Sequence, residues 1–127
     1  MNHVEPQSVV ATLEKLLASS YSLYLKTHNY HWNVTGPMFT TLHTLFETQY
    51  TELALAVDEV AERIRTLGAR APGSYSEFGR LSTVEEDTDS PKAVQMIENL
   101  LADQGRITAL ANELIAAADT AGDQATA

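Results

Sequence analysis

The chain contains no cysteine. Disulfides, thiolate metal sites and thiol nucleophiles are thereby excluded, and a reducing cytoplasm, the expected location, is compatible with this composition. Positive charge is scarce as well: 8 Lys and Arg stand against 17 Asp and Glu, for a net charge of −9. That balance opposes binding to a phosphate backbone and suits attraction of cations, though solubility alone would explain it. Gly and Pro are few, 6 and 4. With Leu and Ala abundant and few breakers inside the long segments, the expected fold is all-α. No apolar run approaches a membrane span, and the start, with Glu5, Pro6 and Gln7, is not a signal peptide. The 127 residues, 44% apolar, suit a single domain over 1–127.

Periodicity places three long helices. Ser8 is a candidate N-cap for a helix to Asn33, with Val9, Leu13, Leu16, Leu17, Tyr21, Tyr24 and Trp32 at helical spacing. Thr35-Gly36-Pro37 breaks it. A second helix runs from Phe39 to Leu67 and stops at Gly68; its stripe is Leu42, Leu45, Phe46, Leu53, Val57, Val60, Ile64 and Leu67. Ser74 and Glu77 form a capping box for a short helix near Tyr75–Arg80. Ser90-Pro91 reads as the start of a third long helix, which ends near Gly122, with Val94, Ile97, Leu101, Leu110, Leu114 and Ala118 on its core face. Asp123 then reads as the N-cap of a further helix that the chain does not continue. Three long amphipathic helices do not close a four-helix bundle. The expectation is therefore a longer natural chain, or partner chains covering a groove lined by Val94, Ile97, Leu101, Leu110 and Leu114.

The chemistry concentrates between Lys26 and Ile64. His31 and His43 lie six residues before and after Pro37, so a turn at Gly36-Pro37 brings them level. His43 and Glu47 are i,i+4, as are Asp58 and Glu62, so each pair shares a helix face. But His43 and Asp58 are fifteen residues apart, about 22 Å of helix rise, and one metal ion cannot touch both within one straight helix. On a helical wheel His43, Glu47, Thr51, Ala54, Asp58, Ala61, Glu62 and Arg65 form one sector beside the core stripe, while Glu52, Glu59 and Arg63 face solvent. A two-fold axis near Thr51, with this helix antiparallel to its copy, would unite the two half-sites twice. Each site would then join His31, His43 and Glu47 of one chain to Asp58 and Glu62 of the other. Imidazole with carboxylate and no sulfur suits iron and also accepts zinc, manganese or cobalt. Taken singly, each residue has a plainer reading: a hydrogen-bonded packing histidine, an exposed histidine, solvated acids, a local Glu62–Arg65 pair. The joint pattern favours the metal. His28, one turn before His31, takes a supporting or structural role, and Trp32 is packed beside the site. His3 takes none. The third long helix offers no acid–x–x–His pair, which again argues for a site between chains.

His31-Trp32, Gly36, Leu42-His43, Phe46-Glu47 and Asp58-x-x-Ala61-Glu62-Arg63 together resemble the Dps family, the miniferritins named for DNA protection in starved cells. The resemblance runs from about Ser8 to the end and is densest over His28–Arg63. It implies a ferritin-like four-helix bundle with a short extra helix between the second and third, and a hollow dodecamer with ferroxidase centres at two-fold dimer interfaces. It implies His31, His43, Asp58 and Glu62 as iron ligands, an acid at Glu47, an aromatic beside the centre at Trp32, and Asp119 in an iron-entry pore. The activity implied is oxidation of Fe(II), preferably by hydrogen peroxide, with storage of ferric mineral and protection against oxidative damage. The lysine-rich tail with which some members bind DNA has no counterpart before Lys15, so direct DNA binding is not expected. The rival readings are a helical oligomer holding structural zinc, and a fragment that neither assembles nor turns over.

Overall fold

A computed structural model describes residues 4–123, 125 and 126. Four helices follow in order: α1 (Val4–Asn33), α2 (Phe39–Thr66), the short α3 (Tyr75–Leu81) and α4 (Ala93–Ala121). No strand occurs among the described residues, as the composition requires. α1 starts four residues before the expected N-cap Ser8, because Pro6 falls in the first turn, where a missing N–H costs nothing. The turn after it is the predicted one. Gly36 holds φ +101°, a left-handed conformation that a Cβ would strain, and the Phe39 N–H donates to the Gly36 carbonyl at 3.1 Å. At the far end of α2, Gly68 and Ala69 donate back to the carbonyls of Arg65 and Ile64, closing a Schellman motif. Gly122 and Asp123 do the same for α4 through Asp119 and Ala118. The capping box of α3 is present: the Ser74 hydroxyl accepts from the Glu77 N–H, and Glu77 Oε1 accepts from the Gly73 N–H.

α1 is the central element and packs on each of the other three helices, whereas no other pair packs extensively. Its apolar positions feed two cores. One joins Val9, Leu13, Leu17 and Ala18 to Ile64, Phe78, Leu114 and Ala118. The other lies under the α1–α2 hairpin and joins Leu23, Tyr30 and Val34 to Leu42, Phe46, Val84, Met96 and Leu100.

Three expectations need correction. α4 begins at Ala93, after an extended Lys92, and Ser90-Pro91 remains outside the helix. Its buried stripe in the first half is Met96, Leu100 and Asp103, one position round from the expected face, so Val94 and Leu101 stand 67% and 71% exposed and Ile97 is also exposed. Leu110 and Leu114 are already buried and need no covering partner. The shift arises because the stripe carries a charge. Asp103, 2% exposed, is neutralised by Lys26 Nζ at 2.8 Å and by Arg106 Nη1 at 2.8 Å, and Lys26 also donates to the Glu85 carbonyl. Finally, Trp32 and Leu45 are exposed, not part of the core stripes.

Candidate metal centre

His31 sits in the last turn of α1, where backbone carbonyls lack intrahelical donors. His43 lies early in α2, directly across the hairpin. The two rings stack with centroids 3.7 Å apart and 18° between planes. Each ring also binds the other residue's backbone: His31 Nδ1 lies 2.6 Å from the His43 carbonyl, and His43 Nδ1 lies 2.7 Å from the His31 carbonyl. A carbonyl only accepts, so both Nδ1 atoms carry the proton. Both Nε2 atoms therefore keep a free lone pair, the form in which imidazole binds metal. Glu47, one turn beyond His43, completes a group of three whose ligand atoms lie within 4.8 Å of one another. His31 is buried, His43 half-buried and Glu47 exposed, so the group opens outward instead of into a cavity.

An aromatic frame surrounds the pair. Phe39 stacks on His43 at 5.0 Å, and Tyr50 meets His31 edge-on at 5.2 Å. His28 is clamped between Tyr50 at 4.1 Å and Trp32 at 3.9 Å. Burial, and then the nearby His31, lower the His28 pKa, which favours the neutral ring in this stack. Trp32 has one face on His28 yet remains 58% exposed. Tyr50 was not singled out from the sequence, although its spacing to His43, i,i+7, already put it on the same face.

Asp58 and Glu62 are outside the three-residue group. α2 is unbroken between His43 and Asp58, so their separation of about 22 Å of rise stands. Both acids are exposed and, among the described residues, neither carboxylate has an ion-pair partner; the local Glu62–Arg65 pair does not form, and Arg65 donates to the Ala69 carbonyl instead. Thr51, Ala54 and Leu55, between the half-sites, are exposed too. Arg63 corrects the expectation of a solvent-facing charge: Nη2 pairs with Asp123 at 2.7 Å and Nε donates to Thr126. Asp123 Oδ1 in turn accepts the Thr126 N–H, the bond of an N-cap, and its carboxyl pKa is lowered by the Thr126 hydroxyl, the Thr126 N–H and Arg63. Asp119 is exposed in the last turn of α4, away from the histidines. His3 lies outside the described residues.

The model of the ferritin-like domain family matches residues 10–127. A DNA protection during starvation protein of Brevibacillus brevis is 36% identical over 95% of this chain and 81% of its own length. The chain belongs to the Dps family of ferritin-like proteins. A low temperature-induced protein of Nostoc is 42% identical over 95% of this Dps chain and 69% of its own length. Among solved structures, the Dps protein of Vibrio cholerae O1, described as a member of a broad superfamily of ferritin-like diiron-carboxylate proteins, superposes with a TM-score of 0.93. It is 33% identical and is matched over 99% of this Dps chain and 79% of its own.

Proposed function

We propose that this Dps chain oxidises Fe(II) with hydrogen peroxide, at centres shared between two copies, and stores the ferric product inside a hollow shell of copies. The observation that carries the reading is the reciprocal lock of His31 and His43, which leaves both Nε2 atoms free, in a group with Glu47 whose ligand atoms lie within 4.8 Å of one another. Two neutral imidazoles and one carboxylate bind Fe(II) without sulfur. The remaining ligands are Asp58 and Glu62 of a second copy, placed by an antiparallel α2–α2 contact centred near Thr51. Exposed Leu55 supplies apolar area on that face. Three carboxylates in one centre favour the more highly charged ferric state, which is the thermodynamic pull of the reaction. Two Fe(II) give one electron each to peroxide, the O–O bond breaks to two hydroxides, and no hydroxyl radical is released.

The protein's part is to fix ligand geometry before iron arrives, which lowers the reorganisation needed at the moment of transfer. Asp119, in the exposed last turn of α4, would line an entry path for the cation. Direct DNA binding is not part of the reading, because a net charge of −9 per chain repels phosphates; a gel shift in metal-free buffer that weakens with salt would contradict this. The main test is the double variant Asp58→Asn, Glu62→Gln, which nearly preserves shape and removes two anionic ligands. Rapid Fe(II) oxidation by peroxide, followed by absorbance, should be lost while the helices remain. Undiminished oxidation would place the chemistry elsewhere. Retained metal binding with no oxidation in the unaltered chain would favour a structural zinc site, since zinc has no redox chemistry.

A further inference from the structure

A cleft of about 330 Å³ lies between α1, α3 and the segment 86–88. That is the small end of the range for ligand pockets, roughly 300–1,000 Å³. Four aromatic residues line it, Tyr21 and Trp32 from α1 and Tyr75 and Phe78 from α3. Phe78 is buried and packs on Tyr21 with ring centroids 4.9 Å apart, so these two make a fixed wall. Trp32 and Tyr75 are 58% and 78% exposed, which leaves large aromatic surface in water. Gly79 belongs to the α3 side of the cleft. Glycine is among the poorest residues for a helix interior. Here its φ is not left-handed, and a Cβ would meet nothing within 4 Å. Neither the backbone nor a packed neighbour requires glycine at this position; its effect is to leave that side of the cleft open.

The segment 86–88 makes its side of the cleft polar, and the charge there is unbalanced. The nitrogen donors beside it are already engaged. Lys26, with its side chain 9% exposed, pairs with Asp103 at 2.8 Å and donates to the Glu85 carbonyl at 3.0 Å. Asn29 donates to the Asp87 carbonyl at 3.2 Å. These bonds occupy carbonyls of the segment and leave its carboxylates. Glu86 is exposed and, among the described residues, has no ion-pair partner. Asp87 accepts from the Tyr30 hydroxyl and the Asp89 N–H, and both bonds favour its ionised form. An anion would meet two carboxylates here. A purely apolar guest would strip water from Glu86 without compensation. A cation with an apolar body suits both walls, because aromatic faces and carboxylates each attract an ammonium group. We propose that the cleft binds an organic ammonium ion carrying a flat apolar body, with the body between Trp32 and Tyr75 and the ammonium at Glu86. The net charge of −9 favours its arrival. The proposal is independent of the iron-oxidising reading, since none of these residues is a candidate metal ligand.

Trp32 is the only tryptophan in the chain, so its fluorescence reports directly on the cleft. Titration of the full chain with 2-phenylethylammonium should give a saturable change, matched by calorimetry. The neutral 2-phenylethanol, of nearly the same shape, should bind about fivefold more weakly. Glu86→Gln should weaken the ammonium by about threefold and leave the alcohol unchanged. Tyr75→Ala should weaken both. Gly79→Leu fills the cleft with a residue that suits a helix better than glycine, so it should abolish binding of both probes without lowering the melting temperature. The Glu86 and Tyr75 variants, at exposed positions, decide the matter even if the Gly79 variant folds poorly. Equal affinity for ammonium and alcohol overturns the proposal, as does binding indifferent to a folded Gly79→Leu chain. Absence of any saturable change overturns it as well. Affinity that falls as protein concentration rises would give the cleft to a second copy of this chain, and the ammonium site would have to be abandoned.

Discussion

At the hairpin end of α2, His43 is stacked, hydrogen-bonded through Nδ1 and flanked by Phe39, so that one nitrogen and one rotamer remain for chemistry. Fifteen residues along the same helix, Asp58 and Glu62 stand in water with no charge partner among the described residues. One end is organised by its own fold and the other waits. The difference matters because ordering costs conformational entropy. Imidazole rings held by reciprocal caps have met that cost during folding, whereas exposed carboxylates meet it only when something arrives to bind. Thr51 and Ala54 keep the helix face between them small, which allows a second α2 to approach closely.

The comparison breaks most decisively if the two ends serve one chain. Asp58→Asn with Glu62→Gln should abolish fast oxidation, and so should His31→Gln with His43→Gln. Refolding the two inactive variants together is the sharper experiment. If each centre draws on two copies, a mixed pair contains one complete centre and one doubly defective one, and random pairing should restore about a quarter of the unaltered rate. A mixture as inactive as its components would show that each centre lies within one chain, and the antiparallel contact would have to be abandoned.

A smaller effect separates the ends by stability. His43→Ala removes the cap on the His31 carbonyl and the ring that covers it, leaving an acceptor unsatisfied at a cost of about 1–3 kcal/mol. The Asp58→Asn, Glu62→Gln variant should stay within about 0.5 kcal/mol of the unaltered chain, because exposed and unpaired groups hold nothing together. Urea titrations in chelator would measure both. Equal losses would mean that the acid end is also part of the folded framework.

The sequence made the punctuation legible and left the charges inside it obscure. Gly36-Pro37, Gly68 and Gly122 mark helix ends through local backbone chemistry, and the Ser74–Glu77 capping box spans three residues, so each could be read in place. The level placement of His31 and His43 followed from equal distances to the turn. Their mutual hydrogen bonds did not, since ring orientation is set by packing across the hairpin. The face of α4 was misplaced because Asp103 interrupts its apolar stripe, and the partner that makes burial tolerable, Lys26, lies on another helix. Arg63 was assigned to solvent for the same reason: Asp123 is sixty residues away.

The smallest expected effect concerns a carboxylate unlike those at the open end of α2. Glu77 has its partners inside the chain. Arg70 Nη1, first in effect, the Ser74 hydroxyl and the Gly73 N–H all donate to it, and its pKa is lowered from 4.5 to about 2. A carboxylate depressed by folding binds its proton more readily in the unfolded chain, so unfolded molecules carry more protons between those two values. The stabilisation is therefore complete above pH 4.5 and lost as pH falls toward 2. Because the group is at the surface, water and salt screen most of it, and the loss should appear first as fraying of α3 and not as global unfolding. Nuclear magnetic resonance of the Ser74–Leu81 amides on acidification should show it. In Glu77→Gln the helix should be frayed already at neutral pH, with its acid-dependent step gone. An unchanged step would assign the acid response to another group and leave the Glu77 hydrogen bonds without effect on α3.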